Sequence, residues 1–168
     1  SLDRFLEQSW DMREFDALKG YPEPKEPRLV HPKIRTIHNR IVASYRGKEF
    51  YDGDRNNGYG GLRYDGRWTP IAKNMAKEYS LIDRSAILQV GSDKGFLLHE
   101  FLQFCPAAKV RGTEISDYAI DNTMSSVKSF VRKAPFTELP FADGEFDLVI
   151  AIGPVYSLNL PDAIKCRN

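Results

Sequence analysis

Cysteine is scarce in this 168-residue chain: Cys105 and Cys166 stand far apart, and neither has a neighbour at metal-ligand spacing. Histidine is as thin, with His31, His38 and His99 scattered along the sequence. These residues supply no zinc site, no other metal site and no disulfide framework, and a reducing compartment is expected. No apolar run approaches the roughly 18–20 residues that span a bilayer, and the first residues do not resemble a signal peptide. A cytoplasmic protein with no membrane partner is the expectation. Excess charge is missing as well. Twenty-four basic against twenty-three acidic side chains leave a formal net charge of +1, which argues against a dedicated nucleic-acid binder. Internal repeats and low-complexity tracts are also lacking.

The composition that remains is 42% hydrophobic and 28% charged, ordinary for a globular protein with a single core. Leu2, Phe5, Leu6, Trp10, Phe15 and Leu18 lie near helical spacing, and Gly20 and Pro22 stop that segment. Pro22, Pro24 and Pro27 make a stiff connector. A second helix is expected from about Pro32, with Ile34, Ile37, Ile41, Val42 and Tyr45 on one face. Its other face is basic, with seven Lys or Arg residues against the single acid Glu26 between Lys25 and Lys48. That face reads as solvated before it reads as an anion site.

The run from Tyr51 to Trp68 holds five glycines, four aromatics and three arginines in eighteen residues, a composition unsuited to a regular packed element. It is either a mobile surface loop or a lid whose glycines permit movement. Thr69 then reads as an N-cap and Pro70 as the first residue of a helix through Ile71, Met75 and Tyr79. Two parts are expected: a helical extension with its glycine- and aromatic-rich loop over 1–68, and an α/β domain over 69–168.

From Ser85 the pattern becomes strand, glycine turn, helix, strand. Ala86 to Val90 is a short apolar run suited to a buried parallel strand, Gly91 to Gly95 is the turn, and Phe96 to Phe104 is a helix stopped by Pro106. Lys109 to Thr113 is the second strand, and Ser116 can cap the helix after it. A third strand is expected over Lys128–Val131 and a fourth over Phe146–Ile152. The alternation implies an α/β fold of Rossmann-like, doubly wound type: a mostly parallel sheet with helices on both faces. Asp143-Gly144 is a turn signal, and Asp147 reads as a residue supporting the fold.

A strand that enters a glycine turn and then a helix brings backbone N–H groups and the positive helix end to one point. Gly91 permits the tight turn, and Gly95 permits close packing of the helix. Glu114, about twenty residues on at the end of the next strand, stands where a carboxylate can accept ribose hydroxyls.

Three segments carry a family resemblance. Ile87-Leu-Gln-Val-Gly-Ser-Asp-Lys-Gly-Phe-Leu-Leu98 is similar to the first motif of class I S-adenosylmethionine-dependent methyltransferases. Val110-Arg-Gly-Thr-Glu-Ile-Ser116 resembles their second motif, and Glu138-Leu-Pro-Phe-Ala-Asp-Gly-Glu-Phe-Asp-Leu-Val-Ile150 resembles the segment leading into their fourth strand. Order and spacing agree over roughly residues 85–165. The stretch from Gly58 to Trp68 also resembles an N-terminal signature in a subset of bacterial methyltransferases. The resemblance implies S-adenosylmethionine as cofactor, S-adenosylhomocysteine as product, and in-line methyl transfer to an acceptor that the sequence does not identify. A small-molecule acceptor is expected, not nucleic acid. On the cofactor side it points to Gly91, Ser92, Asp93, Gly95, Glu114, Ile115, Ser116 and Gly153; on the acceptor side, to Tyr59, Tyr64, Arg67, Trp68 and Tyr156. No residue stands out as general base.

Several positions depart from the family pattern. Gln89 replaces the usual acid, Asp93 replaces the middle glycine of the turn, Ala134-Pro135 lies where a polar residue commonly meets the adenine, and Gly153-Pro154-Val155-Tyr156 replaces a more polar run. The chain also ends before the last strands of the family fold. The rival from another class is therefore a catalytically degenerate binding or scaffold module. A nicotinamide-binding oxidoreductase shares the strand–glycine–helix–acid pattern, and a nucleic-acid modifier using the basic helix is the third alternative.

Overall fold

In a computed structural model of the chain, residues 44–151 are described, together with Lys19 and His38. The expected N-terminal helix, the proline connector, most of the basic helix, Gly153, Tyr156 and Cys166 lie outside the described residues. Tyr45, expected on the apolar face of the basic helix, sits in a turn with its ring 77% exposed.

The elements follow in the order helix α1 (Lys48–Asp52), a 3-10 turn (Arg55–Asn57), helix α2 (Thr69–Glu78), strand β1 (Ala86–Val90), helix α3 (Phe96–Phe104), strand β2 (Lys109–Glu114), helix α4 (Asp117–Asp121), a second 3-10 turn (Lys128–Phe130), and strands β3 (Val131–Lys133) and β4 (Leu148–Ala151). The four strands form one sheet in the order β3-β2-β1-β4, every neighbouring pair parallel. The order reverses direction between β1 and β4, so a topological switch point opens at the carboxyl end of β1, where open α/β sheets bind ligands.

Two rows of the register set the faces. Ile87 pairs with Val110 and Leu148, and Gln89 pairs with Gly112 and Ile150. With side chains alternating along each strand, these residues share one face. Against that face α2 contributes Ile71, Ala72 and Met75, and α3 contributes Leu97, Leu98 and Phe101, in one core cluster with Ile87, Val110, Val127, Val131 and Ile150. Phe101 is fully buried. Burying a side chain of that size contributes roughly 1.5–3 kcal/mol. Val149 points to the opposite face and is 49% exposed.

β1 and α3 fall where the sequence puts them, and four boundaries move. Lys128–Phe130 is a 3-10 turn, not a strand, because Val127 is buried and its carbonyl accepts the Phe130 N–H at 2.9 Å. Pairing with β2 begins only at Val131, opposite Gly112. The cap of α2 is Trp68, one residue before the expected Thr69; its helical backbone and the Ala72 N–H to its carbonyl at 2.9 Å extend the helix backwards. β2 runs one residue further than expected, to Glu114, and β4 starts at Leu148 instead of Phe146. Asp147 supports the start of the sheet: it accepts the Ala86 N–H on Oδ2 and donates its own N–H to the Ala86 carbonyl, both at 2.8 Å.

Candidate functional site

β1 delivers the chain into the turn Gly91–Gly95, and three of its residues hold left-handed backbone: Gly91 (φ 75°), Asp93 (φ 50°) and Gly95 (φ 79°). At Gly95 a side chain is excluded twice, because an added Cβ would lie 2.6 Å from Val127 Cγ2 and 3.0 Å from Thr123 Cγ2. Asp93 tolerates its geometry as one of the few non-glycine types that visit this region readily. The turn is then tied to β2. The N–H groups of Gly91 and Ser92 both donate to the Thr113 carbonyl, at 2.8 and 3.0 Å, and Gly95 donates to the Ser92 carbonyl at 2.8 Å.

Glu114 closes the other side. Its Oε2 accepts the Asp93 N–H at 2.8 Å, and its Oε1 accepts the N–H groups of Ile115 and Ser116 at 3.0 and 3.2 Å. The sequence reading expected the turn to offer its amides to a ligand. Instead the amides of Gly91, Ser92, Asp93 and Gly95 are all engaged within the protein, because Thr113, Glu114 and the Ser92 carbonyl reach them first. A carboxylate has about four acceptor places, so Glu114 retains one on Oε2. Gln89 Oε1, Ser92 Oγ and Thr113 Oγ1 are buried with no hydrogen-bond partner, and such atoms are uncommon in folded proteins.

Two carboxylates therefore meet at the turn. Burial, with the Glu114 charge second, pushes the Asp93 carboxyl up to about 6. Tyr51 Oη donates to Asp93 Oδ1 at 2.9 Å, and Tyr59 Oη donates to Oδ2 at 3.4 Å. The Tyr51 phenol is driven far above its ordinary range, first by burial and then by the Asp93 and Glu114 charges, so it stays a proton donor at physiological pH. The cation beside them is spent elsewhere. Lys94 Nζ donates to both Asp52 oxygens, at 2.8 and 2.7 Å, and to the Leu62 carbonyl at 2.8 Å.

Of the cofactor-side candidates, Gly91, Ser92, Asp93, Gly95, Glu114, Ile115 and Ser116 converge at the carboxyl ends of β1 and β2. Ser116 also caps α4, accepting the Ala119 N–H at 3.1 Å. The acceptor-side candidates divide. Tyr59 reaches Asp93, whereas Tyr64 donates to Glu100 Oε1 on α3 at 2.5 Å. Arg67 is held by Asp65 at 2.7 Å, and Trp68 packs against the core. Neither of these last two is brought to the turn. Sequence reasoning passed over Tyr51, Asp52 and Lys94, and the only sign of them was Asp52 and Lys94 as opposite charges at distant positions.

Residues 87–166 match the model of a methyltransferase domain. Over that span the chain is similar to methyltransferase domains. Among solved structures, a protein of Methanococcus maripaludis assigned to the S-adenosyl-L-methionine-dependent methyltransferases superposes with a TM-score of 0.52 at 16% identity, over 60% of this chain and 48% of that one. That likeness carries the fold, and this chain spans about half the length of that protein. PKMT2 of Rickettsia typhi in complex with AdoHcy matches at TM-score 0.44 and 18% identity, over 51% of this chain and 18% of that chain. The MccD protein matches at 0.43 and 18% identity, over 56% and 46%. Neither of these two adds to the argument. No curated protein matches the chain. Among the described residues no group of His, Cys, Asp or Glu could hold a metal ion, and no helix is long and apolar enough to cross a membrane.

Proposed function

We propose that the turn binds S-adenosylmethionine and that the chain is an S-adenosylmethionine-dependent methyltransferase acting on a small-molecule acceptor. One observation carries the reading: a buried and a half-buried carboxylate stand at a turn four of whose five amides are already engaged. A pyrophosphate needs free N–H donors and positive charge at this place. Here the amides of Gly91, Ser92, Asp93 and Gly95 are taken, Lys94 is neutralised by Asp52, and Asp93 and Glu114 would repel a phosphate. The same pair attracts a nucleoside bearing positive charge. This counts against the nicotinamide reading that the strand–glycine–helix pattern left open.

In this reading Glu114 accepts one ribose hydroxyl on its remaining lone pair, and Ile115, 43% exposed at the end of β2, borders the base with Ser116. Gln89 Oε1 and Ser92 Oγ, buried without partners, receive the polar end of the cofactor. When bound, the cofactor supplies a methyl group activated on sulfonium. The chain's part is then to hold donor and acceptor in line and to keep water out. Gly153 and Tyr156 belong to the same proposal, on the cofactor and acceptor sides respectively, as do the parts 1–68 and 69–168 and a cytoplasmic location. Asp93 favours a second reading, a binding module without activity, since its carboxylate crowds the turn where the family has glycine.

Titration calorimetry with S-adenosylhomocysteine tests the first reading. Binding by the wild-type chain is expected, and Glu114→Gln, which keeps one acceptor oxygen, is expected to weaken it about tenfold, or roughly 1.4 kcal/mol. No heat at millimolar ligand sinks the cofactor reading. Unchanged affinity in the variant removes Glu114 from the ribose.

A further inference from the structure

Residues 46–64 lie across the ligand loops of both central strands. On the β2 side the Arg46 carbonyl accepts Ser116 Oγ, and Tyr118 Oη donates to Asp52 Oδ2 at 2.5 Å. On the β1 side Tyr51 and Tyr59 donate to Asp93, and Lys94 donates to Asp52 and to the Leu62 carbonyl. Further along, Tyr64 ties the segment to Glu100 of α3. No residue from 46 to 64 belongs to the apolar core cluster under the sheet. The attachment consists of polar bonds and of ring contacts, Tyr51 stacked on Tyr118 at 6.1 Å and Tyr64 edge-on to Phe96 at 5.8 Å.

The segment also holds its own shape. Tyr59 donates its N–H to the Phe50 carbonyl at 2.9 Å, and Gly61 and Leu62 both donate to the Tyr51 carbonyl at 3.0 Å. Leu62 N–H reaches Asp52 Oδ1 as well, at 3.0 Å. Asp52 thus collects the segment's own backbone, the Lys94 ammonium and the Tyr118 hydroxyl at one carboxylate. Beneath this cover the groups proposed to meet the nucleoside are nearly closed to solvent: Ser92 is 2% exposed, Glu114 4% and Ser116 5%.

We propose that residues 46–64 form a strap that closes the nucleoside site, with the Asp52–Lys94 ion pair as its latch, so that the ligand gains access only when the strap is released. The inference rests on the nucleoside reading of the turn. It follows from how the strap is held: directional bonds to desolvated groups come apart together when one charge is removed, because the partner charge is left buried and seeks water. The sheet beneath, held by apolar burial, has no share in that linkage.

The test combines hydrogen exchange with stopped-flow binding of S-adenosylhomocysteine to the whole chain. In Asp52→Asn the amides of Tyr59, Gly61 and Leu62 are expected to exchange faster as a group, while the β1 amides keep their protection. The association rate of S-adenosylhomocysteine should rise about tenfold, since the open fraction of the protein limits it. Tyr51→Phe, which removes one hydroxyl and no charge, is the second variant, and a smaller change in the same direction is expected. Strap amides as slow as wild type in both variants overturn the latch. Faster strap exchange with an unchanged or slower association rate overturns the gate. Binding to neither wild type nor variant overturns the nucleoside reading itself, which separates that failure from failure of the strap.

Discussion

The two halves of the site are built on opposite physical terms. The sheet and its helices, from α2 to β4, are held by buried apolar surface: Ile87, Leu98, Phe101 and Val110 are at most 1% exposed. The segment 46–64 is held by a buried ammonium, three carboxylates and four phenols. Burial is non-directional and degrades gradually as groups are trimmed. A desolvated charge pair holds in one geometry and fails abruptly when one partner is removed. The comparison bears on the proposed strap, in which the turn is a rigid floor under a releasable cover, and each side should respond to a different perturbation.

Phe101→Ala strikes the floor and carries the largest expected effect. A loss of about 3–5 kcal/mol in unfolding free energy is expected by denaturant titration, the magnitude for truncating a buried phenylalanine. A loss below about 1 kcal/mol would break the comparison, for the core would then not be what holds the sheet.

Asp93→Asn strikes the contact between floor and cover, and its effect depends on pH. The Asp93 carboxyl is raised from an ordinary value near 3.8 to about 6 by burial and by Glu114, with Tyr51, Tyr59 and Arg46 opposing the rise. Between those values the native state binds more protons than the unfolded state, so stability falls as pH rises through the window. The whole penalty is present at pH 8 and is gone below pH 4. The asparagine variant, which tolerates φ near 50° at least as well, should gain about 1–2 kcal/mol over wild type at pH 8, allowing for partial solvent screening. That gain should vanish at pH 4. Thermal melts at the two pH values measure it, and a gain independent of pH would mean that relief of backbone strain, not of charge, is responsible.

Arg67→Ala is the smallest and serves as the control. Arg67 and Asp65 form an exposed pair at 2.7 Å, the kind of surface ion pair worth well under about 1 kcal/mol. Stability and S-adenosylhomocysteine affinity should both stay as in wild type, by melting and by calorimetry. Lost affinity would restore Arg67 to the proposed site.

Much of the floor was legible because its signals are local. A short apolar run, glycines at fixed spacing and an amphipathic helix stopped by Pro106 specify β1, the turn and α3 through periodicity and backbone allowance alone. The left-handed backbone of Asp93 was readable in the same way, as an acid where glycine is usual. Where the signal was weak the reading slipped. Lys128–Phe130 passed for a strand because three residues cannot distinguish a 3-10 turn from an extended run, and the buried Val127 that decides it is a tertiary fact.

The cover was hidden for a different reason. Glycines, tyrosines and arginines in a row indicate neither helix nor strand, and a mobile loop was as good a reading of Tyr51–Trp68 as a lid. The proposal of a lid rests on Asp52 meeting Lys94, forty-two positions away, and on Tyr51 meeting Asp93 at the same separation. Sequence by itself determined the parallel α/β framework, the strained glycine turn and the acid at the end of β2, since each depends on residues close in the chain. Only the tertiary structure decided that the amides of Gly91, Ser92 and Asp93 are consumed by Thr113 and Glu114, that Lys94 is neutralised, and that residues 46–64 lie over the turn. Those outcomes depend on which distant polar groups reach one another once water is excluded, and no local pattern of residues encodes that.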